Sequence, residues 1–221
     1  MSFRVGIIDD DSTKITQLLT FVKLAFNDEN GNLIKDKYKD ITLEPFEIPL
    51  NKNLDTMIEN ILLYKPDALI IDFKLSSLQN ISYSGAILAQ ALDKKMKGFP
   101  IFILTSYQDD LYAKESIDVY QVFDFERYIN EQLERFEINS KIVEQIKKYN
   151  TTLEKWKKEL TELISHMGEN ISFDERILEL DNLIENSIDG VSSLSSKLKK
   201  DLWDTSKIQQ LIDKINNLIE E

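Results

Sequence analysis

At 221 residues the chain is long enough for one moderate domain with an appendage, or for two small domains. Its 42% hydrophobic and 30% charged residues are those of an ordinary folded protein, and the absence of cysteine excludes disulfides, zinc–thiolate sites and cysteine nucleophiles. The net charge of −12 is shared evenly, −6 on residues 1–125 and −6 on residues 126–221, so neither half has the basic face that phosphate-backbone binding requires and no nucleic-acid partner is expected. A local group at Lys197, Lys199 and Lys200 reads as a solvated helix face. The opening Met1–Val5 lacks the basic and long apolar regions of a signal peptide, and no apolar run reaches the roughly 18 residues of a membrane span. No membrane contact and a cytoplasmic location are expected.

The pattern predicts a strand at about 3–8 and a helix from Ser12 to Phe26, with Ile15, Leu18, Leu19, Val22 and Phe26 on one face. A turn-rich break at Asn27–Asn32 and a polar loop to Asp40 lead to a second strand over 41–48, where Pro45 favours a sheet edge. A helix at 54–64 precedes a third strand that ends at Asp72. After a long loop to Ser84 come a helix at 85–95, a strand at 100–104, a short helix near 109–117 and a fifth strand over Val119–Phe123. Strands alternating with helices predict a parallel sheet covered on both faces.

Beyond Phe125 the pattern changes. Ile142, Ile146, Tyr149, Leu153, Trp156, Leu160, Leu163 and Met167 follow the 3–4 spacing of an apolar heptad seam, on a helix predicted to begin near Glu126. Gly168 is placed to stop it in a left-handed cap, and Ser172–Glu175 fits a capping box that starts another helix. Ile177, Leu180, Ile184, Val191, Leu194 and Leu198 continue a seam, and a third helix from about Ser206 carries Ile208, Leu211, Ile212, Ile215 and Ile219. A helical hairpin with a third helix folded back and a dimeric coiled coil both satisfy this pattern. The domains expected are therefore 1–125 and 126–221.

The chemistry-bearing residues stand at the strand ends. Asp9, Asp10 and Asp11 follow the first strand, Asp72 closes the third and Thr105 follows the fourth. In an open parallel sheet these ends converge on one edge, where ligands bind. Carboxylates with a hydroxyl beside them make a hard-oxygen pocket suited to Mg²⁺ and a phosphoryl group. His166, the only histidine, reads as a solvated helix-end residue, and Trp156 and Trp203 as packing anchors.

The run Ile7-Ile8-Asp9-Asp10-Asp11-Ser12, then Asp72, Gly85 and Thr105 in that order, resembles the receiver domain of two-component response regulators. The resemblance covers roughly residues 1–130. It implies a flavodoxin-like, doubly wound five-stranded parallel sheet, Mg²⁺ held by Asp9, Asp10 and Asp72, a phosphoryl group accepted on Asp72, Thr105 sensing the acyl phosphate, and a histidine kinase as partner. The family's lysine at the end of strand five is absent: Tyr120-Gln-Val-Phe-Asp-Phe-Glu-Arg127 puts Phe123, Asp124 or Phe125 in its place, and Arg127 or Lys74 are the nearby substitutes. Two readings follow. One is an atypical response regulator whose phosphorylation controls a helical module that binds itself or a protein partner, with slow autodephosphorylation as its only enzymatic activity. The other is a degenerate receiver acting as an adaptor without phosphoryl chemistry. A phosphatase or phosphotransferase using the same acids on an external substrate ranks behind both.

Overall fold

The computed structural model describes residues 1–28, 30–75, 81–106 and 122–189. The short helix expected near 109–117, residues 119–121 of the expected fifth strand, Gly190 to Leu198 of the second seam, Lys197, Lys199, Lys200, Trp203 and the third helix from Ser206 lie outside the described residues. The chain divides into two compact units, Met1–Thr152 and Leu153–Glu221.

The first unit is built on five parallel strands, β1 (Ser2–Ile8), β2 (Thr42–Glu47), β3 (Ala68–Asp72), β4 (Ile101–Thr105) and β5 (Val122–Asp124), in the order β2-β1-β3-β4-β5. That order reverses direction between β1 and β3, the arrangement of the flavodoxin-like doubly wound fold. Pro45 sits in β2, an edge strand, as the missing N–H of proline requires. The central strands β3 and β4 are buried at every position, which is why they read as continuous apolar runs rather than alternating ones.

Helices cover the sheet. Helix α1 (Ser12–Leu24) starts at Asp11, whose carboxylate accepts the Thr13 N–H at 2.8 Å, and ends at Ala25, where φ is positive (52°). Helix α2 (Leu54–Tyr64) is capped by Asn53 and closes at Lys65, which is left-handed, one residue before Pro66. Helix α3 (Gly85–Lys95) is capped by Ser84. Side chains alternate along each strand. Accordingly Val5, Ile7, Ala68, Ile70, Phe102 and Leu104 share a core with Ile15, Leu18 and Val22 of α1, while Ile103 packs with Phe73 and Ala86 in a separate cluster.

The stretch expected to open the helical region behaves differently. It begins as a short helix, α4 (Phe125–Asn130), and breaks at Glu131, which is extended, before α5 (Gln132–Ile164). At the break the Arg135 guanidinium donates to the Ile129 carbonyl at 2.9 Å and lies 4.2 Å from the Phe21 ring, giving a carbonyl at the helix end a charged donor. The first half of α5 then joins the core of the sheet unit through Phe136, Ile138, Ile142, Val143 and Ile146. Phe136 packs edge-on against Phe26 and Tyr38, themselves stacked 4.1 Å apart. Asn139 is fully buried: it accepts from the Tyr128 hydroxyl at 3.0 Å and donates to the Ala25 carbonyl at 2.9 Å. The compact units divide at Thr152/Leu153, inside α5.

In the second unit, α5 runs on to Ile164 and the chain turns through Gly168 (φ 84°) into α6 (Ile171–Asp189). The left-handed glycine is where the sequence places it. The cap is not: Asn170, rather than Ser172, is the capping side chain, accepting the Ser172 N–H at 2.9 Å, and the Asp174 carboxylate accepts the Gly168 N–H at 2.8 Å. Arg176, near the start of α6, donates twice to Glu159, near the end of α5, at 2.7 and 3.0 Å, which fixes the two helical segments antiparallel. Leu153, Trp156, Leu160 and Leu163 are half-buried, and Ile177, Leu178 and Leu180 of α6 are buried. No helix among the described residues is long and apolar enough to cross a membrane.

Candidate functional site

The register of the sheet assembles the site. Ile8 is paired with Ile71, so the next residues, Asp9 and Asp72, stand side by side; Asp72 is paired with Leu104, so Thr105 lies one step beyond. This is the C-terminal edge at the β1/β3 reversal, where doubly wound sheets bind their ligands. Asp9, Asp10, Asp72 and Thr105 are all buried. One oxygen from each of Asp9, Asp10 and Asp72 lies within 4.8 Å of the others. Every donor in the set is a hard carboxylate oxygen, the ligand type that Mg²⁺ prefers. The residues fit a divalent cation.

Local hydrogen bonds aim these acids. Asp9 accepts the Asp11 N–H at 2.8 Å, and Asp72 Oδ2 accepts the Lys74 N–H at 2.8 Å. Helix α3 comes so close to β3 that a Cβ on Gly85 would lie 2.1 Å from the Asp72 carbonyl oxygen and 2.9 Å from Ile71. Only glycine permits that approach. The Gly85 N–H in turn donates to the Phe73 carbonyl at 2.9 Å.

Crowding of charge shows in the protonation equilibria. Burial, with the neighbouring Asp72 charge added, pushes the Asp9 carboxyl up to about 7. Burial also raises Asp72, although Lys14 and the Lys74 N–H pull it back. Both shifts come first from burial, with like-charged neighbours adding to it.

Lys14 is the site residue that reading the sequence missed. Its Nζ lies 3.2 Å from Asp72 Oδ1, on a side chain only 22% exposed, and 5.2 Å from the centre of the Phe125 ring. Burial lowers its affinity for a proton, but the Asp72 and Asp9 charges outweigh that and raise it overall. A signal was present. Lys14 stands in the first turn of α1, where the helix dipole disfavours a cation and where no acid precedes it within the helix. A lysine placed against that gradient needs a tertiary partner.

The three positions considered for a strand-five lysine have other uses. Phe123 packs against Phe102, Asp124 caps α4 by accepting the Arg127 N–H at 2.9 Å, and Phe125 lies beneath the Lys14 ammonium. Arg127 is on the surface, paired with Glu131 at 3.2 Å and Glu134 at 2.8 Å, and does not serve the pocket. Lys74 contributes its backbone N–H to Asp72. His166 is exposed near the end of α5 beside Glu169, as a helix-end histidine would be.

No family model matches the chain, and no curated protein does. Among solved structures it is similar to the anti-anti-sigma factor PhyR from Bartonella quintana, at 12% identity and a TM-score of 0.44 over 70% of this chain; it spans about half, 51%, of that one. It is also similar to the apo receiver domain of nitrogen regulatory protein C, at 18% identity and a TM-score of 0.37, over 67% of this chain and 97% of that domain. A fusion carrying the trimeric coiled coil of yeast Spc42 matches at 14% identity and a TM-score of 0.44 over 100% of this chain and 99% of its own. The fold assignment rests on the strand order and register, not on these similarities.

Proposed function

We propose that the first unit is a receiver-like signalling domain that binds Mg²⁺ through Asp9, Asp10 and Asp72 and accepts a phosphoryl group on Asp72. The observation that carries this reading is the convergence of three buried carboxylates at the β1/β3 edge, with the Thr105 hydroxyl one register step away. A carboxylate oxygen of Asp72 attacks phosphorus, the donor's bond to that phosphorus breaks with its electron pair leaving on the donor, and an acyl phosphate forms. Bound Mg²⁺ supplies the charge that lets an anionic group approach three acids. Asp9 and Asp10 hold the metal, the Lys74 N–H orients Asp72, and Thr105 donates to a phosphoryl oxygen, which couples the end of β4 to phosphorylation state. A histidine kinase is the donor the resemblance implies.

The helical second unit is the interaction module of this reading, through self-association or a protein partner. Ile164, Met167, Ile171 and Phe173 expose apolar side chains around its turn. One observation favours the adaptor reading instead: Asp72 already has a counter-ion in Lys14, so the pocket holds together without a metal or phosphoryl group. Mass spectrometry after treatment with a small phosphoryl donor and Mg²⁺ separates the two. A phosphoryl-sized mass increase that disappears in Asp72→Asn supports the first; an unmodified wild type, under conditions that label an ordinary receiver, supports the adaptor. Magnesium should also raise the melting temperature saturably, and less so in Asp10→Asn.

A further inference from the structure

We propose that Lys14 is the oxyanion-binding residue of the pocket: the side chain that pairs with Asp72 before modification and with the phosphoryl oxygens after it. This assignment rests on the receiver-like reading of the same site. Its ammonium is 3.2 Å from Asp72 Oδ1, and its side chain is mostly shielded. The Phe125 ring lies 5.2 Å away, a distance at which the face of an aromatic ring attracts a cation. The side chain is therefore held at the acceptor by two partners from different elements, β3 and α4.

The charge at the site moves when Asp72 is phosphorylated. The carboxylate loses its negative charge, and two negative charges appear on oxygens one P–O bond further out. An ammonium on a flexible four-carbon stem can follow that displacement. Among the described residues of strand five and its end, Phe123 is committed to the core and Asp124 is an acid that caps α4. Placing the cation on the first turn of α1 has a structural consequence. Movement of the phosphoryl-binding group is movement on α1, whose far end is bound to the long helix through the Ala25–Asn139 hydrogen bond.

Lys14 acts oppositely on a cation and on an anion, and this makes the proposal testable. Full-length wild type, Lys14→Met and Lys14→Arg are titrated with Mg²⁺ by calorimetry, and beryllofluoride adducts on the Mg²⁺-loaded proteins are followed by ¹⁹F NMR. Removing a like charge beside the metal-binding carboxylates should tighten Mg²⁺ binding in Lys14→Met by about tenfold. The same substitution should weaken the beryllofluoride adduct by about tenfold or more, since a charged hydrogen bond to the anion is lost. Lys14→Arg should keep most of the adduct. An undiminished adduct in Lys14→Met, with Mg²⁺ bound normally, overturns the role of Lys14 and leaves the receiver-like reading standing. A wild type that binds neither Mg²⁺ nor beryllofluoride overturns both. If Lys14→Met does not fold, Lys14→Gln takes its place, with the same expectations.

Discussion

Lys14 and Asp72 are 58 positions apart in the chain, yet their side chains form a 3.2 Å ion pair in which the carboxylate is 5% exposed and the lysine 22%. Deleting one partner of such a pair costs more than the pair itself contributes, because a charge is left buried without compensation. Lys14→Met should lower stability at pH 8 by about 1–3 kcal/mol. The deficit should shrink toward acid pH, where Asp72 takes up a proton and needs no counter-ion. Urea unfolding of wild type and variant at pH 8 and pH 5 checks both statements; an equal loss at the two pH values would assign the effect to packing.

Asp9 gives a pH dependence of defined sign. Its carboxyl is raised from 3.8 to about 7, so between these values the folded state binds more protons than the unfolded one. Stability must then fall as pH rises through that window, by up to about 1.4 kcal/mol per unit of the shift. Asp72, also raised, acts in the same direction. Without divalent metal the protein should melt at a lower temperature at pH 8 than at pH 5, and saturating Mg²⁺ should flatten or invert the slope. A melting temperature that increases from pH 5 to pH 8 without metal would show that Asp9 is not raised.

Gly85 tests whether the site depends on close approach of α3. A methyl group there meets the Asp72 carbonyl oxygen at 2.1 Å, and backbone cannot move aside as a flexible side chain can. Gly85→Ala should cost about 2–4 kcal/mol and weaken Mg²⁺ binding as β3 is displaced. Differential scanning fluorimetry with and without Mg²⁺ reads the two effects separately.

Much of this site was legible in the sequence, and the reason is local. Asp9, Asp10, Asp72 and Thr105 all sit at the ends of short β runs, and a parallel sheet necessarily gathers such ends on one edge. Gly85 was visible by its position before a helix, though not the reason for it. Lys14 was missed because pairing depends on which way the first turn of α1 faces, and helical periodicity fixes that only relative to its own apolar stripe. The heptad seam misled for a related reason. A stripe such as Ile142, Ile146 and Tyr149 states that something covers it, without identifying what; Phe26, Tyr38 and the sheet itself supply the cover for Ile142 and Ile146. Asn139 lies within this buried stretch with no outward sign of its two partners.

That residue invites a direct test. Asn139→Ala leaves the fully buried Tyr128 hydroxyl without its acceptor and the Ala25 carbonyl without its donor. The loss should be about 2–4 kcal/mol, larger than for Tyr128→Phe, which removes a single hydroxyl. Chemical denaturation of the two single variants decides the order. A smaller loss in Asn139→Ala would mean that water replaces the amide.

Truncation provides the last test. Ending the chain at residue 125 removes Phe136, Ile138, Ile142, Val143 and Ile146 from the core of the sheet unit, whereas ending it at 152 retains them. A 1–152 fragment should unfold cooperatively, and a 1–125 fragment should aggregate or lack a sharp transition. Equal behaviour of the two would show that the sheet unit folds without the opening turns of α5.

Because α5 gives its opening turns to the sheet, it has little length left to offer a helical partner. From Leu153 to Ile164 it extends only about 18 Å, roughly three turns. Helices that short gain too little by pairing singly to offset the order they must adopt. If this unit binds a protein, as proposed, α5 and α6 together present a broader face than the end of α5 alone, so breadth as well as apolar pattern would select the partner.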